Sequence, residues 1–136
     1  MALEDLKVNV KLKLSAAWAT FMFLYIYMDY FHLYMPDVIE DMLAGRVFVF
    51  EITEGFVLAA LLSVSIPAAM IFASMAMPAK VNRWANLIVA GIYVPYSLIN
   101  VIGAEWPIPY WYVAGVEIVL LSLIIRYAWR WPRLEA

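Results

Sequence analysis

Apolar residues run along this chain in four long stretches, Leu14 to Met35, Val47 to Met77, Trp84 to Ile102 and Pro109 to Trp129. A helix that crosses a bilayer core needs about 20 mostly apolar residues, and each stretch meets that length. The segments between them are short. Pro36 closes the first, Pro78-Ala79-Lys80 parts the second from the third, and Gly103-Ala104-Glu105-Trp106-Pro107 parts the third from the fourth. Short connections favour antiparallel neighbours, so the expected fold is all-α: a single transmembrane domain over residues 1–136, arranged as a four-helix up-down-up-down bundle. Between the first two stretches, Val38, Ile39, Met42 and Leu43 alternate with acids at near-helical spacing. That pattern predicts a short helix lying on the membrane surface, ended by Gly45.

Charge orients this arrangement. Lys7, Lys11 and Lys13 precede the first stretch, Lys80 and Arg83 sit between the second and third, and Arg126, Arg130 and Arg133 close the fourth. Only Arg46 falls on the other side. Lys and Arg are retained on the cytoplasmic face, so both termini are predicted to be cytoplasmic in a multi-pass protein of the inner (plasma) membrane. Trp84, Trp106, Trp111, Trp129 and Trp131 fall near the ends of stretches, where amphipathic rings favour the interface. The basic N-terminus before an apolar run resembles a signal peptide. That run is too long, however, and lacks a convincing small-x-small cleavage site before Asp29, so it reads as a retained first span.

Composition agrees and narrows the chemistry. The chain is 67% hydrophobic with a mean hydropathy of +0.85, more than a soluble core absorbs. A net charge of -2 gives no reason to expect a nucleic-acid partner. The absence of cysteine excludes disulfides, thiolate metal sites and cysteine nucleophiles, and a single histidine excludes bis-histidine haem within one subunit. No cofactor is expected.

The ionisable residues inside the stretches are Asp29 and His32 on the first, Glu51 and Glu54 on the second, and Glu117 on the fourth. At 1.5 Å of rise per residue, Asp29 lies roughly 8 Å below the outer end of its span, Glu51 roughly 6 Å, Glu54 roughly 10 Å and Glu117 roughly 12 Å. Asn100 joins them from the third stretch, with Tyr96 and Tyr93 below it. Residues three, four and seven apart share a helix face. Trp18, Met22, Tyr25, Asp29 and His32 form one such stripe, and Asn86, Tyr93 and Asn100 another. Glu51 and Glu54 share a face with Leu58 and Leu61, and Tyr110 shares one with Glu117. Polar faces in lipid are best satisfied against one another, since a charge at the bilayer centre costs about 2.5 to 3.5 kcal/mol. Pro67 and Pro95 each release a carbonyl four residues earlier, on Ser63 and Gly91, which a neighbour or water must satisfy. The competing reading of these residues is plain: acids near the interface reaching water, neutral buried carboxyls, and tyrosines that only pack.

Carboxylates beside aromatic rings in a water-limited pocket suit a cation, through ion pairing and cation–π attraction. The same groups could move protons, with Glu54, Glu117, Asp29 and His32 as the catalytic candidates. Asp29-x-x-His32 with Glu51-x-x-Glu54 and Glu117 also has the style of a carboxylate metal set in a helical bundle, but lacks the second histidine, so no metal is assigned. Four short spans, an outer loop after the first and Glu54-Gly55 opening the second resemble the small bacterial DoxX-like membrane proteins of uncharacterised function. The set of Phe23 to Asp29, Phe50-Glu51 and Asn100 is similar in style to the EXPERA fold of sterol isomerases and related receptors. That likeness implies a pocket for a lipophilic or cationic amphiphile and isomerase-like chemistry.

Three functions therefore stand at this point. The first is a pocket for a small lipophilic or cationic ligand, lined by Asp29, His32, Glu51, Glu54, Tyr93, Tyr96, Asn100 and Glu117. The second is a proton-coupled transporter, which needs an inward route where the inner halves offer Ser63, Ser65, Asn86 and little else. The third is a non-catalytic subunit of a membrane complex. Gly55 to Ala59 and Ala69 to Ala73 are small-xxx-small spacings, which also allow a homodimer.

Overall fold

Asn9 opens the first helix, α1 (Val10–His32), by accepting the Lys11 N–H on its side-chain oxygen at 2.9 Å. The computed structural model describes residues 1–135. A short helix, α2 (Val38–Leu43), follows, and Gly45 with φ 84 turns the chain out of it. Two strands, β1 (Arg46–Val47) and β2 (Phe50–Glu51), pair antiparallel with Arg46 opposite Glu51 and Val47 opposite Phe50. Thr53 then caps α3 (Glu54–Ala76), its hydroxyl accepting the Phe56 N–H at 3.1 Å. α4 (Ala79–Ile99) begins after Pro78, and α5 (Pro107–Trp129) carries Pro107 in its first turn, where the missing N–H costs nothing.

Contacts between helices fix their directions. Lys11 Nζ donates to the Met77 carbonyl at 2.8 Å and Ser15 Oγ to the Ile71 carbonyl at 2.7 Å, so the start of α1 lies beside the end of α3. Arg83 Nε donates to the Ala128 carbonyl at 3.0 Å, which sets the start of α4 beside the end of α5. At the opposite end the His32 ring meets the Tyr110 hydroxyl at 2.6 Å. α1 packs mainly on α3 and α5, α4 packs mainly on α5, and α3 touches α4 more lightly. The N-terminal lysines, Lys80, Arg83 and the arginines of α5 therefore share one end. Asp37, Glu40, Asp41, Glu51, Glu54 and Glu105 gather with Arg46 at the other.

The interior holds polar as well as apolar side chains, and much of the surface is apolar. Asn82, Asn86, Ser74, Ser97 and Glu117 are buried, while Phe23, Leu61, Leu62, Phe72, Ile88, Ile92 and Val119 are exposed. Two helices, α3 and α5, are long and apolar enough to cross a membrane, with mean hydropathies of 2.3 and 1.9. Only 11% of the apolar window of α3 is buried within the chain.

Several boundaries differ from the sequence reading. α1 covers 10–32 rather than 14–35, because Asn9 caps it early and the chain turns after His32. α4 covers 79–99 rather than 84–102, since Pro78 permits a helix to start immediately after it. The largest difference is at 47–53, which forms most of the strand pair and its exit instead of the first two turns of a 47–77 helix. Val47-Phe48-Val49-Phe50-Glu51-Ile52-Thr53 is a run of β-branched and aromatic residues, which favours strand over helix.

Candidate functional site

Polar side chains join the helices at two levels of the interior. Toward the basic end, Trp18 Nε1 donates to Asn86 Oδ1 at 2.7 Å, and the Asn86 amide donates to Asn82 Oδ1 at 2.7 Å. Asn82 in turn donates to the Ser74 carbonyl at 2.6 Å. All four residues are fully buried, and their mutual bonds leave this level closed. Nearer the middle, Tyr93 donates to the Ser63 carbonyl, and Tyr25 and Tyr96 hydroxyls meet at 2.9 Å. Pro67 lacks the N–H that would have bonded that carbonyl, so a neighbouring helix supplies the donor. The Tyr96 hydroxyl also reaches Ser63 Oγ at 3.3 Å.

Glu117 lies between these tyrosines and the acidic end, 5% exposed on α5. Ser97 Oγ is buried beside it without a hydrogen-bond partner of good geometry among the described residues. Asp29 is exposed by surface area, yet its carboxyl lies within electrostatic reach of Tyr25, Tyr110 and Glu117.

The acidic end holds the larger cavity. α2, the strand pair, the end of α1 and the connection from α4 to α5 enclose a cleft of about 280 Å³ lined by Asp37, Asp41, Glu105, Arg46, Phe48, Trp106, Tyr110 and His32, among others. Arg46 pairs with Asp41 at 3.3 Å, the only ion pair among the described residues. Asp37 and Glu105, both exposed, form no ion pair among the described residues and share the lining with the Phe48, Trp106 and Tyr110 rings. The His32 ring stacks on Phe48 at 4.7 Å between centroids and holds Tyr110 by its hydrogen bond, forming the cleft wall nearest Asp29. Asp37 (φ 62) and Phe48 (φ 53) are the non-glycine residues with positive φ among those described, and both line this cleft. Backbone held in a disfavoured region gathers at functional sites.

The expected site residues divide. His32, Tyr93, Tyr96 and Glu117 do fall among facing helices, through the contacts above, whereas Asp29 occupies an exposed position on α1. Glu51 stands on β2 and Glu54 in the first turn of α3, both exposed, so Glu54 is not a deep acid. The face shared with Leu58 and Leu61 points outward, with both leucines more than half exposed, because α3 packs instead through Pro67, Met70 and Ser74. Asn100 is the exposed C-cap of α4, one turn beyond the buried stripe that ends at Ser97. Asn82 and Ser74 fill the inner level that the sequence reading left nearly empty. Asn82 lies four residues before Asn86, and that spacing was the available signal. Asp37 and Asp41 belong to the cap and body of α2, whereas Glu105 and Trp106 come from the connection between α4 and α5, and no helical period links the two pairs. Among the described residues, no three His, Asp or Glu side chains are grouped to hold a metal.

A family model described as "Family of unknown function (DUF6326)" matches residues 1–136, and the chain belongs to that family. No curated protein and no solved structure matches it.

Proposed function

We propose that this family member is a multi-pass inner-membrane protein whose outer cleft binds a small lipophilic cation. In this reading α1, α3, α4 and α5 all cross the bilayer as an up-down-up-down bundle, with the basic end and both chain ends cytoplasmic. The outward apolar faces and inward polar ones support four spans, and the segregation of cations to one end supports the orientation.

One observation carries the ligand class: a cleft in which Asp37 and Glu105 lack counter-charges and the Phe48, Trp106 and Tyr110 rings form the remaining walls. Carboxylates fix the charge of an ammonium, and ring faces attract it without the desolvation that a second ion would suffer. An apolar substituent on the ligand would lie against Val38, Met42 and Val47 of the lining. The transport alternative has less support, because the Trp18–Asn86–Asn82–Ser74 level closes the inner half with its hydrogen bonds made internally.

Thermal unfolding of the purified protein in a mild nonionic detergent tests the proposal. Phenyltrimethylammonium should raise the midpoint, and its neutral carbon isostere should not. The rise should vanish in Asp37→Asn/Glu105→Gln and shrink in Trp106→Ala. Equal stabilisation by the neutral isostere, or an unchanged response in the variants, would sink the reading.

A further inference from the structure

The opposite end of the molecule carries a second cleft, of about 210 Å³, lined by Ala79, Lys80, Arg83, Trp129, Trp131, Pro132 and Arg133. It forms where the first turn of α4 meets the chain leaving α5. Three cations line it, and no carboxylate does. None of the three forms an ion pair among the described residues.

Arg83 is held in place. Its guanidinium sits 5.5 Å from the Trp84 ring and 5.6 Å from the Trp129 ring, and its Nε is anchored to the Ala128 carbonyl. Arginine suits such a position because stacking uses its faces while its edge keeps donors free. Lys80 and Arg133 extend from the two sides of the cleft without such anchors. The first N–H groups of α4, at Ala79 and Lys80, add donors that no preceding turn can satisfy.

We propose that this basic cleft binds a phosphate group, presented by the headgroup of an anionic phospholipid. The source follows from position: on the membrane reading given above, on which the inference rests, the cleft lies at the depth of the cytoplasmic headgroups, flanked by interfacial tryptophans. The acids of the terminal segments, Glu4, Asp5 and Glu135, line no part of it.

The experiment compares midpoints of thermal unfolding in lipid nanodiscs of phosphatidylcholine alone and with phosphatidylglycerol added, and in phosphatidylcholine with inorganic phosphate. Phosphatidylglycerol should raise the midpoint by about 4 °C. Lys80→Gln/Arg133→Gln should lose that increment, while Lys7→Gln/Lys13→Gln, which removes equal charge outside the cleft, should keep it. Arg83→Lys, which keeps the charge but not the stacked fork, should lose part of it. Loss of the increment in both double variants would show diffuse attraction and overturn the site, as would no increment in the parent. An equal rise with inorganic phosphate would overturn the lipid as its source. Resistance of the cellular protein to alkaline carbonate extraction is read separately: if it extracts as a peripheral protein, the membrane reading fails, whereas retention with no lipid increment rejects this inference alone.

Discussion

Tyr93 on α4 gives its hydroxyl hydrogen to the backbone carbonyl of Ser63 on α3, the group that Pro67 has no N–H to bond. A proline inside this long apolar helix thus becomes a point of attachment between helices, because a released carbonyl away from water requires a donor.

Tyr93→Phe should destabilise the protein by about 1 kcal/mol, the net worth of one interhelical bond. Pro67→Ala restores an N–H four residues after Ser63, so the same tyrosine change should cost less in that background. A double-mutant cycle by equilibrium unfolding in detergent checks this, and additive losses would refute it.

Asn86 accepts from Trp18 and donates to Asn82, both buried. Asn86→Leu should cost about 2 kcal/mol, because it leaves a buried indole N–H and an amide oxygen unpaired. Denaturant titration followed by tryptophan fluorescence would show it. A neutral or stabilising change would mean that water satisfies this level.

The parent has no cysteine, so single introduced thiols report topology without background. Val49→Cys, at the exposed turn between the strands, should react with a membrane-impermeant maleimide in intact cells. Lys80→Cys should react only after permeabilisation. The opposite pattern would invert the orientation, and equal labelling would deny the span arrangement.

Hydropathy and charge made much of the scaffold legible. The four long helices, the short α2 and its Gly45 stop are all visible in the sequence, and the cations do collect at one end. The strand pair was obscured because Val47 to Ile52 is as apolar as the helix it precedes, so length and hydropathy extend that helix backwards. The β-branched and aromatic content of the run and the Thr53 cap carried the correction. This displacement removed Glu51 and Glu54 from the interior, whereas Glu117, well inside α5, needed no boundary to be right.

The candidate site was legible only where it is helical. His32 and Tyr110 were each placed on an inward stripe, and their hydrogen bond forms the inner wall of the outer cleft. Its acids lie at Asp37 and Asp41 of α2 and at Glu105 on the connection from α4 to α5, and their meeting depends on the path the chain takes between the long helices. Periodicity has no term for that path.

Calorimetric titration of phenyltrimethylammonium into the protein in phosphatidylcholine nanodiscs tests the central claim most directly. The parent should bind one cation per chain, with affinity that falls as salt rises, and Asp37→Asn/Glu105→Gln should weaken binding about tenfold or more. Binding of equal strength in that variant, or no saturable binding in the parent, would contradict the account.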